Sequence, residues 1–280
     1  MKAIEYLKNI CRYFVHRGFK DGGITYINLI SCDSDKQLLG KNVLITGGGS
    51  GIGYAIAEKC IKCGAKVIIT GRNKEKLEKA VNKLGTSSYY IVNDVSQISN
   101  LPNLLEEAIG YTGKIDALVN NAGIPTTTYD VNLVDENLYN RVMNTNLKAV
   151  YFLTNLFYKY LCDNKIHGSI VMMASNGGIK RQANPYGISK AAVVHYGLGL
   201  AKESIKKQIR CNIIAPGYTI SSIAPEFQRD KEANLHKWDV TDGRWHLAEE
   251  IAEVAEFLIS DRSMCLNGQI LECDGGDSIL

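Results

Sequence analysis

Tyr186 and Lys190 stand four residues apart in Tyr186-Gly187-Ile188-Ser189-Lys190, the one Tyr-x-x-x-Lys in the chain. On a helix that spacing places both side chains on one face, with the ammonium one turn from the phenol. A free phenol titrates near ~10, too high for easy proton exchange at neutral pH. A neighbouring cation favours the phenolate and lowers that value. The pair therefore reads as proton-transfer machinery. Ser175, eleven residues before Tyr186, supplies a hydroxyl able to bond a carbonyl and the phenol together. It reads equally as a cap at the end of a strand.

A second cluster is Thr46-Gly47-Gly48-Gly49-Ser50-Gly51-Ile52-Gly53. Glycines between a strand and a helix let the backbone turn tightly and approach a diphosphate, whose charge meets the helix amino terminus. In dinucleotide folds an acidic residue some ~20 positions on holds the ribose 2′-hydroxyl. Here Thr70-Gly71-Arg72-Asn73 offers no acid before Glu75. Arg72 suits a 2′-phosphate instead, which favours NADP(H) over NAD(H). The alternative is a solvated loop arginine. Asp94 with Val95, past a third apolar run, is placed to meet the adenine, or Asp94 caps the helix after it. Asn120-Asn121-Ala122-Gly123 offers amides that can bridge strand ends and a small pair that leaves room for a flat ring.

These residues need a frame, and the chain from Lys41 supplies one. Strands are expected at 42–46, 66–70, 88–92, 115–120, 169–174, 209–215 and 269–273. Helices are expected at 54–63, 73–84, 101–109, 135–161, 185–207 and 249–259. The strands are nearly continuous apolar runs, so both sheet faces must be covered. Repeated strand–helix alternation predicts an α/β fold, a doubly wound parallel sheet of about seven strands with helices on both faces. Ligands on such sheets sit at the carboxyl ends of the strands, where the motifs fall. Two segments stand apart. Residues 1–38 form an amino-terminal extension whose Ile4, Leu7, Ile10, Cys11, Phe14 and Val15 suit an amphipathic helix. Residues 217–248 lack periodicity and hold Trp238 and Trp245, which either line a pocket with Tyr218 or pin the loop.

From about residue 39 to 277 the chain resembles the short-chain dehydrogenase/reductase family in its compact single-domain, 3-oxoacyl reductase-like form. The motifs come in the family's order: the Thr46–Gly53 turn, Asp94, Asn120–Gly123, Asn146, Ser175, Tyr186 with Lys190, Pro216-Gly217 and Asp274-Gly275-Gly276. The resemblance implies a Rossmann-type catalytic domain over 39–280. It implies a reaction that interconverts a ketone and a secondary alcohol by hydride transfer. Tyr186 would be the general acid or base, Lys190 would lower its pKa and hold the nicotinamide ribose, and Ser175 would polarise the carbonyl. Asn146, rather than the competing Asn144, would hold a water that relays protons to Lys190. Thr46, Gly47, Gly49, Ser50, Gly51, Ile52, Gly53, Arg72, Asp94, Val95, Asn121, Ala122, Gly123, Pro216, Gly217 and Thr219 would line the cofactor. A homodimer or homotetramer is implied, with the long helices after the fourth and fifth strands at the interface. The Ser175–Tyr186 separation is a couple of residues shorter than is commonest in the family. A silent dinucleotide-binding sensor or assembly subunit is the alternative function, and the intact Ser175/Tyr186/Lys190 set argues against it.

Composition sets the outer limits. The 280 residues are 45% hydrophobic and 22% charged, an ordinary globular balance. Thirty-two basic against 29 acidic side chains leave a net +3, too even for a nucleic-acid partner. No apolar run approaches the ~20 residues needed to cross a bilayer. The first twenty residues carry charge too often for a signal peptide. A cytoplasmic protein with reduced cysteines is expected, and Cys60 and Cys63 read as buried helix residues rather than a redox pair. The five histidines show no ligand spacing, so no metal is expected.

Overall fold

The computed structural model describes residues 36–220 and 240–279. The expected amino-terminal helix, Trp238 and the centre of the 217–248 segment lie outside the described residues. Seven strands are described: β1 (Asn42–Thr46), β2 (Lys66–Gly71), β3 (Ser88–Val92), β4 (Ala117–Asn120), β5 (Ser169–Met173), β6 (Arg210–Pro216) and β7 (Ile270–Cys273). They pair in parallel, in the order β3-β2-β1-β4-β5-β6-β7. The order reverses between β1 and β4, and the sheet is Rossmann-type and doubly wound. A crevice opens at such a switch point, beyond the strands' carboxyl ends.

Alternate residues of each strand feed opposite cores, as the two-residue period requires. Val43, Ile45, Val67 and Ile69 face the helices α1 (Gly51–Lys62) and α8 (Ala248–Ile259). Leu44, Ile68, Leu118 and Ile170 face the other side. That side is covered by α3 (Leu101–Thr112), α5 (Ala149–Asp163) and α7 (Pro185–Ser204), with Phe157 fully buried among them. On the α1 and α8 face, α2 (Lys74–Leu84) adds Leu77, Ala80 and Leu84 to the core, and it begins where Asn73 accepts from the Lys76 amide at 2.9 Å. Leu38, assigned to the extension from sequence, is fully buried and donates its N–H to Cys63 O at 2.9 Å. Cys60 and Cys63 are buried in that same core, and burial pushes both thiols up.

One long expected helix, 135–161, is built differently. α4 (Glu136–Met143) passes through a single π turn, Asn144–Lys148, into α5. A π turn inserts an extra residue and rotates the side chains beyond it, and such turns recur at functional sites. Here it turns Asn146 fully inward. A short helix, α6 (Asn176–Ile179), also occupies the stretch between Ser175 and Tyr186, where none was expected. Among the described residues no helix is long and apolar enough to cross a membrane.

Candidate active site

The glycine turn leaves β1 and enters α1 with no acidic residue in the helix's first turn, so the positive helix end is left for an anion. Gly53 is required by contact: a Cβ there would stand 2.4 Å from Gly47 O and 2.5 Å from Asn121 Nδ2. Thr46 is buried, and its hydroxyl accepts from Asn121 N at 3.0 Å and Ala122 N at 2.9 Å. Its role is thus to hold the β4 turn against β1. The Asn121 amide spans the same gap, donating to Thr46 O at 3.0 Å and Gly47 O at 3.2 Å. The bridging expected of these amides is present.

Tyr186 and Lys190 ride on α7, which starts where Asn184 accepts from Gly187 N at 2.9 Å and Pro185 fits the first helical position. Lys190 is buried, and its Nζ donates to Met173 O, at the end of β5, over 2.7 Å. Its ammonium also lies 5.9 Å from the centre of the Tyr186 ring. Ser175 stands just past β5 and caps α6, accepting from Gly177 N at 3.2 Å. It therefore acts as the strand-end cap, and it neighbours the Tyr186 phenol closely enough to lower its pKa.

Asn146 closes the set from the π turn. Its Oδ1 accepts from Ile124 N at 2.8 Å, and its Nδ2 donates to Ile124 O at 2.9 Å and Ser189 Oγ at 3.2 Å. Ser189 in turn donates to Tyr186 O at 2.7 Å. A Cβ built on Gly123 would lie 3.4 Å from Asn146 Oδ1 and 3.5 Å from Lys190 Nζ, so all three converge. Asn144, the competing choice, is exposed.

The electrostatics differ from the sequence-based expectation. The lysine was expected to lower the phenol's pKa. Burial instead raises Tyr186 above the usual phenol range, the Ser175 hydroxyl opposes it, and the nearby Tyr129 adds to the rise. Burial also pulls Lys190 down to about 8. In the protein alone, desolvation outweighs the pairing.

These groups border a cavity of about 280 Å³. Ile52, Asn121, Gly123, Tyr186, Lys190, Pro216, Gly217 and Thr219 line it, all anticipated from the sequence except in their mutual distance. Tyr218 and Trp245 line it too, with ring centres 5.7 Å apart edge to face, so they both wall the pocket and brace each other. Pro125, Thr126 and Tyr129 also line it and were not anticipated; Asn176 and Gln182 line it from the segment between Ser175 and Tyr186, which borders the substrate in the family the chain resembles. Tyr129 had no signal in the sequence. Arg72 is exposed just past β2. Asp94 accepts from Ser96 N at 3.0 Å and Ser96 Oγ at 2.8 Å, bracing a turn rather than capping the helix after it, whose N-cap is Gln97, while Val95 is buried. Beside them Asn93 Oδ1 and Thr70 Oγ1 are buried without a partner. A diphosphate cradle, orphaned polar atoms at the β2 and β3 ends and a flat gap at Ala122–Gly123 fit a nicotinamide dinucleotide laid across the strand ends.

The comparisons with known proteins agree with this geometry. The sequence model of the short chain dehydrogenases matches residues 41–232. A 3-oxoacyl-[acyl-carrier-protein] reductase of Escherichia coli (strain K12) is 32% identical over 243 residues, covering 85% of this chain and 97% of that protein. A 3beta-hydroxysteroid dehydrogenase of Eggerthella lenta is 32% identical over 249 residues, covering 85% and 95%. Among solved structures, a 3-ketoacyl-(acyl-carrier-protein) reductase from Brucella melitensis complexed with NADH superimposes with a TM-score of 0.78. It is 30% identical, and the match covers 86% of this chain and 99% of that one.

Proposed function

Because this chain belongs to the short-chain dehydrogenase family, whose members are oxidoreductases acting on a CH–OH/C=O pair with a nicotinamide dinucleotide, we propose that it is an NADP(H)-dependent carbonyl reductase. The observation that carries the reading is the convergence of Ser175, Tyr186 and Lys190 on the lining of one cavity. The bound dinucleotide supplies the hydride. Ser175 donates to the substrate carbonyl oxygen and polarises it. Tyr186 gives its proton to that oxygen as negative charge develops, and takes it back in the alcohol-oxidising direction. Lys190, held by Met173 O, lies beside the Tyr186 ring and would hold the ribose hydroxyls of the dinucleotide. Asn146 holds the Ile124 turn and Ser189, and through them the backbone of Tyr186.

The substrate class that fits best is a 3-oxoacyl compound, since the Escherichia coli relative is named a 3-oxoacyl-[acyl-carrier-protein] reductase. The aromatic walls Tyr129, Tyr218 and Trp245 would pack on an acyl or ring body. The steroid dehydrogenase relative makes a bulky alicyclic ketone the natural second member of a substrate panel. Preference for the phosphorylated cofactor is supported by Arg72 and by the lack of an acid at the end of β2. The test is NADPH consumption by purified protein over 3-oxoacyl esters and alicyclic ketones. Tight NADPH binding without turnover of any ketone would favour the silent sensor instead.

A further inference from the structure

We propose that Asp277, beyond β7, is a positioning residue that fastens the Ser175 turn to the carboxyl-terminal turn and to the segment at Thr241. The proposal rests on the reading of Ser175 and Tyr186 given for the reaction. Ser175 opens α6, whose Gly177 and Gly178 offer no side chain to hold the turn in place. The fastening comes from its two ends. Asn176 Nδ2 donates to Asp277 Oδ2 at 3.0 Å, and Lys180 Nζ lies 2.5 Å from the same oxygen.

The carboxylate side chain is only 9% exposed, so water screens these pairings little. Its other oxygen, Oδ1, accepts from Thr241 Oγ1 at 3.5 Å, on the segment that leads to Trp245. The Asp277 N–H donates to Asp274 O at 3.2 Å, and Asp274 is itself held by Gly276 N at 3.0 Å and by Ser278 Oγ. One carboxylate thus ties together the α6 turn, the Thr241 strap and the carboxyl-terminal turn. Without it, the Asn176 amide and the Lys180 ammonium lose their shared acceptor. The turn then keeps only its close glycine packing on α7, and Ser175, whose hydroxyl must keep its direction toward Tyr186, loses the anchor at its far side. Misplacing a catalytic group by about 1 Å can cost ~100-fold in rate.

The test compares the full-length chain with its Asp277→Ala and Asp277→Asn variants by two readouts. The first needs no substrate. Amide hydrogen exchange over residues 177–182 tracks the Gly178, Lys180 and Gln182 N–H groups, which donate within the turn. Asp277→Ala raises exchange there while the melting temperature stays near that of the parent chain. Unchanged exchange overturns the proposal, whatever the substrate. The second is oxidation of ethyl 3-hydroxybutanoate with NADP+ across pH. The alanine variant loses about tenfold in kcat with the KM for NADP+ unchanged. The limb that rises with pH, set by phenol ionisation, moves up by about half a pH unit as the Ser175 hydroxyl turns from the phenolate. Asp277→Asn keeps an acceptor for Asn176 and recovers part of both effects. A merely structural loss lowers the rate at every pH and leaves the limb in place, and that result overturns the proposal. A parent chain inactive on this alcohol and on every ketone of the panel overturns the proposed reaction instead, and exchange still decides the fastening.

Discussion

Tyr186 is where burial and pairing compete most directly. Burial raises the phenol, and the Ser175 hydroxyl alone does not reverse it. An oxidised nicotinamide, when bound, would add positive charge that favours the phenolate. Tyr186→Phe should therefore cut turnover by about a thousandfold while NADPH affinity, read by fluorescence titration, is retained. Lys190 carries a separate, pH-linked consequence. Its pKa is pulled down to about 8, below the usual lysine value, so between that pH and the unfolded value the unfolded chain binds the extra proton. The cost of burying this charge is therefore full below pH ~8 and is relieved as pH rises toward ~10.5. Lys190→Met should raise the melting temperature of the cofactor-free protein at pH 7, and the gap to the parent chain should close above pH 9. A constant gap across that range would refute the assignment. Arg72→Ala should weaken NADPH binding far more than NADH binding, and equal weakening would sink the 2′-phosphate reading.

At the scale of elements, the π turn is the device that sequence periodicity could not reveal. Residues 135–161 read as one continuous amphipathic helix, because a single inserted residue barely disturbs a helical pattern. The structure spends that residue on turning Asn146 inward, where both ends of its amide bond the Ile124 backbone. Asn146→Ala leaves a buried N–H and C=O unpaired, at about 1–3 kcal/mol for each group. The expected result is a lower unfolding midpoint in urea together with lower activity, because the Gly123–Ile124 turn borders the site. Phe157→Ala makes a useful contrast. It empties a fully buried position in α5, remote from the cavity wall, at about 3–5 kcal/mol. Its effect should appear in stability, with kcat per folded molecule preserved. The opening of α7 was readable from sequence, since Asn184-Pro185 is a helix-start signal with a stated mechanism. The α6 turn was not, because four residues containing two glycines carry no helical period.

At the scale of the whole molecule, α5 and α7 leave apolar side chains facing outward. Tyr151 is 45% exposed, Phe152 44%, Ile188 43% and Leu198 38%. Tyr196 ties the two helices, donating to Asn155 Oδ1 at 2.7 Å and packing its ring on Tyr151 at 4.9 Å. The family resemblance implies that this paired face joins subunits. Phe152→Glu with Leu198→Glu should shift the mass in light scattering to that of a monomer. A parent chain that is already monomeric at micromolar concentration would refute the interface.

The sequence by itself determined the parallel sheet, its two helical layers and the roll of residues at the strand ends. Those come from short-range physics: apolar runs buried on both faces, glycines at a strand-to-helix turn, and a phenol and an amine one helical turn apart. Only the tertiary structure decided which groups meet across long stretches of chain. Asn146 reaches Ile124 and Ser189, Lys190 reaches Met173, and Asp277 reaches Asn176, because packing brings together residues whose separation leaves no periodic trace. It also decided the sign of the Tyr186 shift, since desolvation depends on what surrounds a group on every side and a local motif specifies only one neighbour.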